Sequence, residues 1–159
     1  FYTIETISSV CQSIHDSGKT IVLATGFFDL LHKEHINFME KAKTEGDVLI
    51  VAIESDLRAK KAKGEDRPVD TQQVRAQKVL EYVDYVILLP DDFDHFDAFD
   101  SLMSVIRPEV YAVSSHTSHI KSKTFLVEKY GGQLVVVHEW NPEISTTQII
   151  NQGIMTPHV

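Results

Sequence analysis

Thr25-Gly26-Phe27-Phe28-Asp29-Leu30-Leu31-His32-Lys33-Glu34-His35 is the stretch on which the fold is read. It follows an apolar run, residues 21–24, with the composition of a buried strand. The run breaks at Gly26, and two histidines three positions apart then open an amphipathic segment. Strand, glycine turn and helix start is an arrangement that seats phosphates, because the first N–H groups of a helix have no internal partners. His32 and His35, one helical turn apart, share a face and aim imidazoles at an anion held there.

Outward from this turn, short β-branched runs alternate with helical patterns. Strands are expected at about 20–25, 48–54, 85–89, 110–113 and 133–138, and helices at 4–14, 35–44, 71–82, 96–106 and 122–130, with a last helix from near 147. The strand runs are nearly all apolar, as strands covered on both faces are. Such alternation predicts an α/β fold, a three-layer Rossmann-like sandwich with a five-stranded parallel sheet. Ligands of such sheets bind beyond the carboxyl ends of the strands, where strand order reverses. Four segments converge on that edge: 26–35, 54–67, 114–119 and 141–147.

The 159 residues fit one domain, expected over 1–159. A net charge of −8 argues against general nucleic-acid binding, which needs basic surface. The basic residues are nevertheless clustered: Arg58, Lys60, Lys61, Lys63 and Arg67 follow the second strand, as a solvated helix face or a phosphate-binding segment. No apolar run reaches the roughly 20 residues of a membrane span and no signal-peptide pattern opens the chain. With the lone Cys11, these features suggest a cytoplasmic protein without disulfides. No G-x-G-x-x-G follows the first strand and H-E-x-x-H is absent. A zinc site from His32, His35, His116 and His119 is a weak rival, with no cysteine to assist.

The chain resembles the cytidylyltransferase-like nucleotidyltransferases. Their signature, G-x-F-D-x-x-H-x-G-H, reads here Gly26-Phe27-Phe28-Asp29-Leu30-Leu31-His32-Lys33-Glu34-His35, and their C-terminal I-S-T-T is Ile144-Ser145-Thr146-Thr147. Glu45-Gly46-Asp47, Ser55-Asp56, Lys60-Lys61-Ala62-Lys63-Gly64, Arg67-Pro68-Val69, Arg75 and Tyr82-Val83-Asp84 match in order between them. Lys-x-x-Lys-Gly and Arg-Pro-Val are most similar to the adenylyltransferase domain that makes nucleoside-diphosphate heptoses. I-S-T-T is also similar to glycerol-3-phosphate cytidylyltransferase. The resemblance implies transfer of a nucleotidyl group from CTP or ATP to a small phosphorylated acceptor, with pyrophosphate released, Mg²⁺ accompanying the triphosphate, and a homodimer.

On that reading His32, His35, Lys60 and Lys63 are the catalytic residues. Gly26, Phe27, Phe28, Asp29, Arg75, Ser145, Thr146 and Thr147 bind the nucleotide, with Asp29 orienting this turn or helping to hold the acceptor or metal, and Ser114, Ser115 and His116 meet the acceptor. Arg75 has a second reading, as an ion-pair partner of Asp70 or Glu81. Three positions depart from the family: Glu34 for the motif glycine, the 114–119 loop for a Gly-Asp element, and Trp140 for an arginine. A carboxylate about 5 Å from a phosphate costs about 3 kcal/mol at an effective dielectric of 20. Glu34 is therefore expected to swing into solvent or to contact a metal or hydroxyl-rich acceptor. The alternative is a catalytically impaired nucleotide-binding or sensing domain.

Overall fold

The computed structural model describes residues 1–141 and 146–151, without the side chains of 146–148. Helix α1 (Ile4–Asp16) leads into β1 (Ile21–Gly26), α2 (Lys33–Lys43), β2 (Val48–Ile53), α3 (Asp56–Lys63) and α4 (Gln72–Val79). Then come β3 (Tyr85–Leu88), α5 (Phe96–Ile106), β4 (Val110–Ser114), α6 (Ile120–Lys129), β5 (Gln133–His138) and α7 (Thr146–Asn151). Side-chain hydroxyls start three of the helices: Thr3, Ser55 and Thr71 accept from the amides of Thr6, Arg58 and Val74.

The five strands are parallel in the order β3-β2-β1-β4-β5, so the chain reverses direction across the sheet between β1 and β4. β1 pairs with β2 along its whole length, Ile21↔Val48 through Gly26↔Ile53, but with β4 only at Val22↔Val110 and Leu23↔Tyr111. Beyond Leu23 the two strands part, bridged by Thr25 Oγ1 and the Tyr111 hydroxyl at 2.7 Å. The crevice this opens is where a doubly wound sheet takes its ligand. One core packs α1, α5 and α6 on Leu23, Ile50, Ile87 and Tyr111; the other packs α2 and α4 on Val22, Val51 and Val86. Cys11 is buried in the first core, where desolvation raises its thiol pKa to about 11.

Two elements differ from the sequence expectation. Residues 56–63 form a helix that the hydropathy pattern conceals, because it buries only Ala59 and is otherwise polar and basic. β5, an edge strand, is half-exposed, and Val136 is open to solvent. Among the described residues no helix is long and apolar enough to cross a membrane.

Candidate active site

The turn after β1 is held in a conformation that ordinary residues resist. Phe28 (φ 54°) and Leu30 (φ 47°) both lie in the left-handed region, which costs about 1–2 kcal/mol each. Asp29 between them offsets the strain. Its buried carboxylate accepts from Arg67 Nε (2.9 Å), Val69 N (2.8 Å) and Asp70 N (2.9 Å), fastening the turn to the 67–70 loop. Glycine at position 26 leaves room for the Phe28 ring, which would have to shift if a Cβ were added 2.9 Å from it.

Asp29 thus braces the turn, as its role of orienting this turn requires, and does not line the cavity. Arg75, expected to reach the phosphates, is also a brace. It is fully buried, donating to the carbonyls of Asp70, Phe27 and Glu54 and to Asp56 Oδ1. Both the phosphate role and the Asp70 side-chain pairing are corrected by this geometry. The guanidinium stitches the Phe27 turn to the end of β2, and Asp70 pairs with Lys78.

His32 and His35 stack with ring centroids 3.8 Å apart. His35 Nδ1 accepts from His32 N at 3.4 Å, which leaves Nε2 to carry the proton as a donor. Burial, then the charges of His32, Arg67 and Lys63, depress the His35 pKa to about 3, so the ring is neutral at physiological pH. Burial lowers the His32 pKa too, with Glu34 pulling the other way. Both ring nitrogens of His32 are buried and, among the described residues, have no hydrogen-bond partner. Orphaned buried nitrogens cost about 1–3 kcal/mol each and mark a place prepared for a ligand. Trp140 closes over the pair, its ring 5.7 Å from His32, 5.6 Å from His35 and 6.4 Å from His116.

Glu34 follows neither path expected of it. Its side chain turns inward, away from the cavity, and Oε2 accepts from His138 Nε2 at 2.7 Å and from Asn141 N at 3.1 Å. Lys41 Nζ lies 2.9 Å from His138 Nδ1, so the lysine donates to one ring nitrogen and the other, Nε2, donates to Glu34. Burial raises the Glu34 pKa, but the hydrogen bonds from the Asn141 amide and His138 outweigh it, and the net shift is downward. The carboxylate therefore ties the start of α2 to the chain leaving β5.

The crevice is a cavity of about 680 Å³. Gly26, Phe27, Phe28, His35 and Trp140 line one part; Ser114, His116, Thr117, His119 and Lys123 line another, with Glu54 and Arg58 on the side of α3. Of the predicted acceptor residues Ser114 and His116 reach it, whereas Ser115 turns away to accept from Trp140 N at 2.9 Å. Lys60 is also drawn off: it points outward to Glu65 at 2.9 Å, because the last turn of α3 carries it to the exposed face. Lys63 stays near, its Nζ 5.9 Å from the Phe27 ring centroid.

Ser145 lies outside the described residues, and Thr146 and Thr147 open α7. Among the cavity-lining residues, Glu54 and Lys123 had no role assigned from the sequence, and Arg58 was picked out only as a member of the basic cluster. The available signal was Glu54 itself, a charge ending the apolar run of β2 at the carboxyl edge of the sheet.

Residues 23–152 match the family described as cytidylyltransferase-like. The chain belongs to that family. Its curated relatives include the bifunctional protein HldE of a Nitratiruptor species, 39% identical over 108 residues, which are 67% of this chain and 22% of that protein. HldE of Pelobacter propionicus is 35% identical over 138 residues, 85% of this chain and 27% of the relative. The chain thus spans about a quarter of the length of these curated relatives.

Among solved structures, a lipopolysaccharide core biosynthesis protein from Thermoplasma volcanium shares the fold with a TM-score of 0.62 at 23% identity, covering 78% of this chain and 98% of that one. Pantoate–β-alanine ligase from Francisella tularensis, solved with β,γ-ATP and β-alanine, gives 0.63 at 16% identity, covering 98% of this chain and 72% of the other.

Proposed function

We propose that the protein is a nucleotidyltransferase that moves CMP or AMP from the nucleoside triphosphate to a small phosphorylated acceptor such as a sugar or polyol phosphate. The reading is carried by the stacked imidazoles of His32 and His35: His35 lines the cavity that opens between β1 and β4, and behind it both ring nitrogens of His32 are buried with no hydrogen-bond partner among the described residues. Membership of the cytidylyltransferase-like family and similarity to HldE support it.

In this reaction an oxygen of the acceptor phosphate attacks the α-phosphorus, and the bond from that phosphorus to the α,β-bridging oxygen breaks. Pyrophosphate leaves, and no covalent protein intermediate is required. Catalysis is then positioning and neutralisation of the charge that grows on phosphoryl oxygens. Neutral His35 donates through Nε2 without losing its proton, and Lys63 adds a cation beside the Phe27 turn. Asp29 and Arg75 keep the turn in register during transfer. Mg²⁺ enters with the triphosphate, as part of the substrate. Among the described residues no group of three or more His, Cys, Asp or Glu stands ready to hold a metal ion, and no step is routed through a resident one. Because Glu34 is spent on His138 and Asn141, its charge is no reason to regard the site as impaired.

The test is pyrophosphate release from each of the four nucleoside triphosphates, paired with sugar 1-phosphates, glycerol 3-phosphate and aminoalcohol phosphates. Release that needs both substrates and is lost in His35→Ala is expected. Triphosphate binding without release for any pair would assign the fold to sensing.

A further inference from the structure

Trp140 and Glu34 stand at two of the positions where this chain leaves the family pattern, and the structure joins them. The indole faces four imidazoles, those of His32, His35, His116 and His138, with ring centroids 5.6–6.4 Å away. His35 is enclosed by this ring, by the Phe28 ring at 5.4 Å and by the stacked His32 at 3.8 Å. The indole also crosses His32 at 68°, and both nitrogens of that ring are shut from solvent without a partner among the described residues. Denying water to such nitrogens costs stability, so the cover has to be held in place. It is held on both flanks. Trp140 N donates to Ser115 Oγ at 2.9 Å, and Ser115 N donates to the His138 carbonyl at 2.9 Å. On either side of the indole, His138 Nε2 and Asn141 N donate to the Glu34 carboxylate in the first turn of α2.

We infer that Trp140 is a positioning residue: tied down by Glu34 and Ser115, its indole excludes water from the His32–His35 pair and keeps His35 in the one tautomer that leaves Nε2–H as a donor. That tautomer depends on His35 Nδ1 accepting from His32 N. A proton on Nδ1 would displace this donor and free the ring to turn, and water beside the ring is what would stabilise the resulting charge. His32, Arg67 and Lys63 oppose a proton on His35, and Glu34 favours one on His32, while His116 faces the indole from its other side. Burial outranks these charges in holding His35 neutral. Phe28 belongs to the same turn as the pair, whereas Trp140 reaches it from beyond β5. Removing the indole therefore opens the pair while the turn keeps its braces at Asp29 and Arg75. The bearing of this cover on catalysis rests on the nucleotidyl-transfer reading; its effect on the rings does not.

The test is ¹⁵N NMR of the imidazoles in the full, ligand-free chain from about pH 8 to about pH 4.5, with Trp140→Ala, Trp140→Gln and Trp140→Phe beside the parent. The parent and Trp140→Phe should show His35 as a neutral Nε2–H tautomer throughout. In Trp140→Ala its protonation midpoint should rise by about two units or more, into the range titrated. Pyrophosphate release by that variant should then fall about twofold or more, relative to the parent, between about pH 7 and about pH 5. Should Trp140→Ala fail to fold, Trp140→Gln, which fills part of the space with a polar amide, decides. A folded Trp140→Ala or Trp140→Gln whose His35 stays neutral as in the parent overturns the inference, and so does a Trp140→Phe that titrates like Trp140→Ala. ATP and CTP, each with Mg²⁺, are titrated into the parent in parallel. A raised midpoint in the variant, with neither triphosphate bound by the parent, upholds the cover and defeats the nucleotidyl-transfer reading. Triphosphate binding with an unmoved midpoint defeats the cover alone.

Discussion

Replacing Glu34 by glycine restores the residue that the family motif carries, and the structure predicts that this chain is harmed by it. Two hydrogen bonds to a buried carboxylate are lost, from His138 Nε2 and Asn141 N. Bonds to a charged acceptor contribute about 1.5–3 kcal/mol each, partly regained as water reaches the freed donors. Glycine in the first turn of α2 removes a favourable N-terminal charge and adds backbone entropy, roughly another 1 kcal/mol. A net loss of about 3 kcal/mol follows, which in a domain of this size lowers Tm by roughly 6–12 °C.

The Glu34 pKa is lowered in the fold, so its stabilisation is complete above the unfolded carboxylate range and disappears as pH falls through the lower folded value. The Tm gap between Glu34→Gly and the parent should therefore narrow in acid. Calorimetry on Glu34→Gly, His138→Phe and the double variant should give a coupling above about 1 kcal/mol. Additive effects, or a Glu34→Gly Tm within about 2 °C of the parent, would refute the clamp. Catalytic efficiency should fall about tenfold as Asn141 and the end of β5 lose their tie to α2; a tenfold gain would mean that Glu34 obstructs the site after all.

His35→Ala and His32→Ala should each lower kcat about 10²–10³-fold, measured by pyrophosphate release, with melting temperature nearly kept. An unchanged kcat would remove the imidazoles from the chemistry. The His35 pKa of about 3 lies below its ordinary 6.5, so the unfolded chain binds more protons between those values and stability falls as pH drops through that window. Urea melts should show that one group contributing about 1.4 kcal/mol per pH unit between roughly pH 6 and 4, and a His35→Gln variant should lack it. Arg75→Lys should destabilise strongly, by more than about 4 kcal/mol, since several buried carbonyls lose a planar donor. A stable Arg75→Lys with raised KM for the triphosphate would restore its phosphate role.

The sheet was legible because its inner strands β1, β2 and β4 are buried on both faces and read as unbroken apolar runs, such as Val48–Ile53. Helix α3 was not, because its one buried residue, Ala59, leaves no periodic trace. At the site, spacing located His32 and His35 but could not distinguish a ligand group from a brace. Asp29 and Arg75 carry the residue types of phosphate and metal chemistry, yet their partners are backbone groups brought near only by folding. Glu34 misled for the same reason, since His138 lies 104 positions away. Trp140 stood out as a departure from the family, though its place over both imidazoles required the fold.

The central claim is that the His32–His35 pair receives the triphosphate. The direct measurement is ¹⁵N NMR of the imidazole nitrogens as a non-hydrolysable triphosphate is added, with Mg²⁺, to the full chain. Both His32 and His35 resonances should shift at saturation, with His35 remaining a neutral Nε2–H tautomer. Saturable binding that leaves both rings unmoved, or that persists at parental affinity in the His32→Ala/His35→Ala variant, would contradict it.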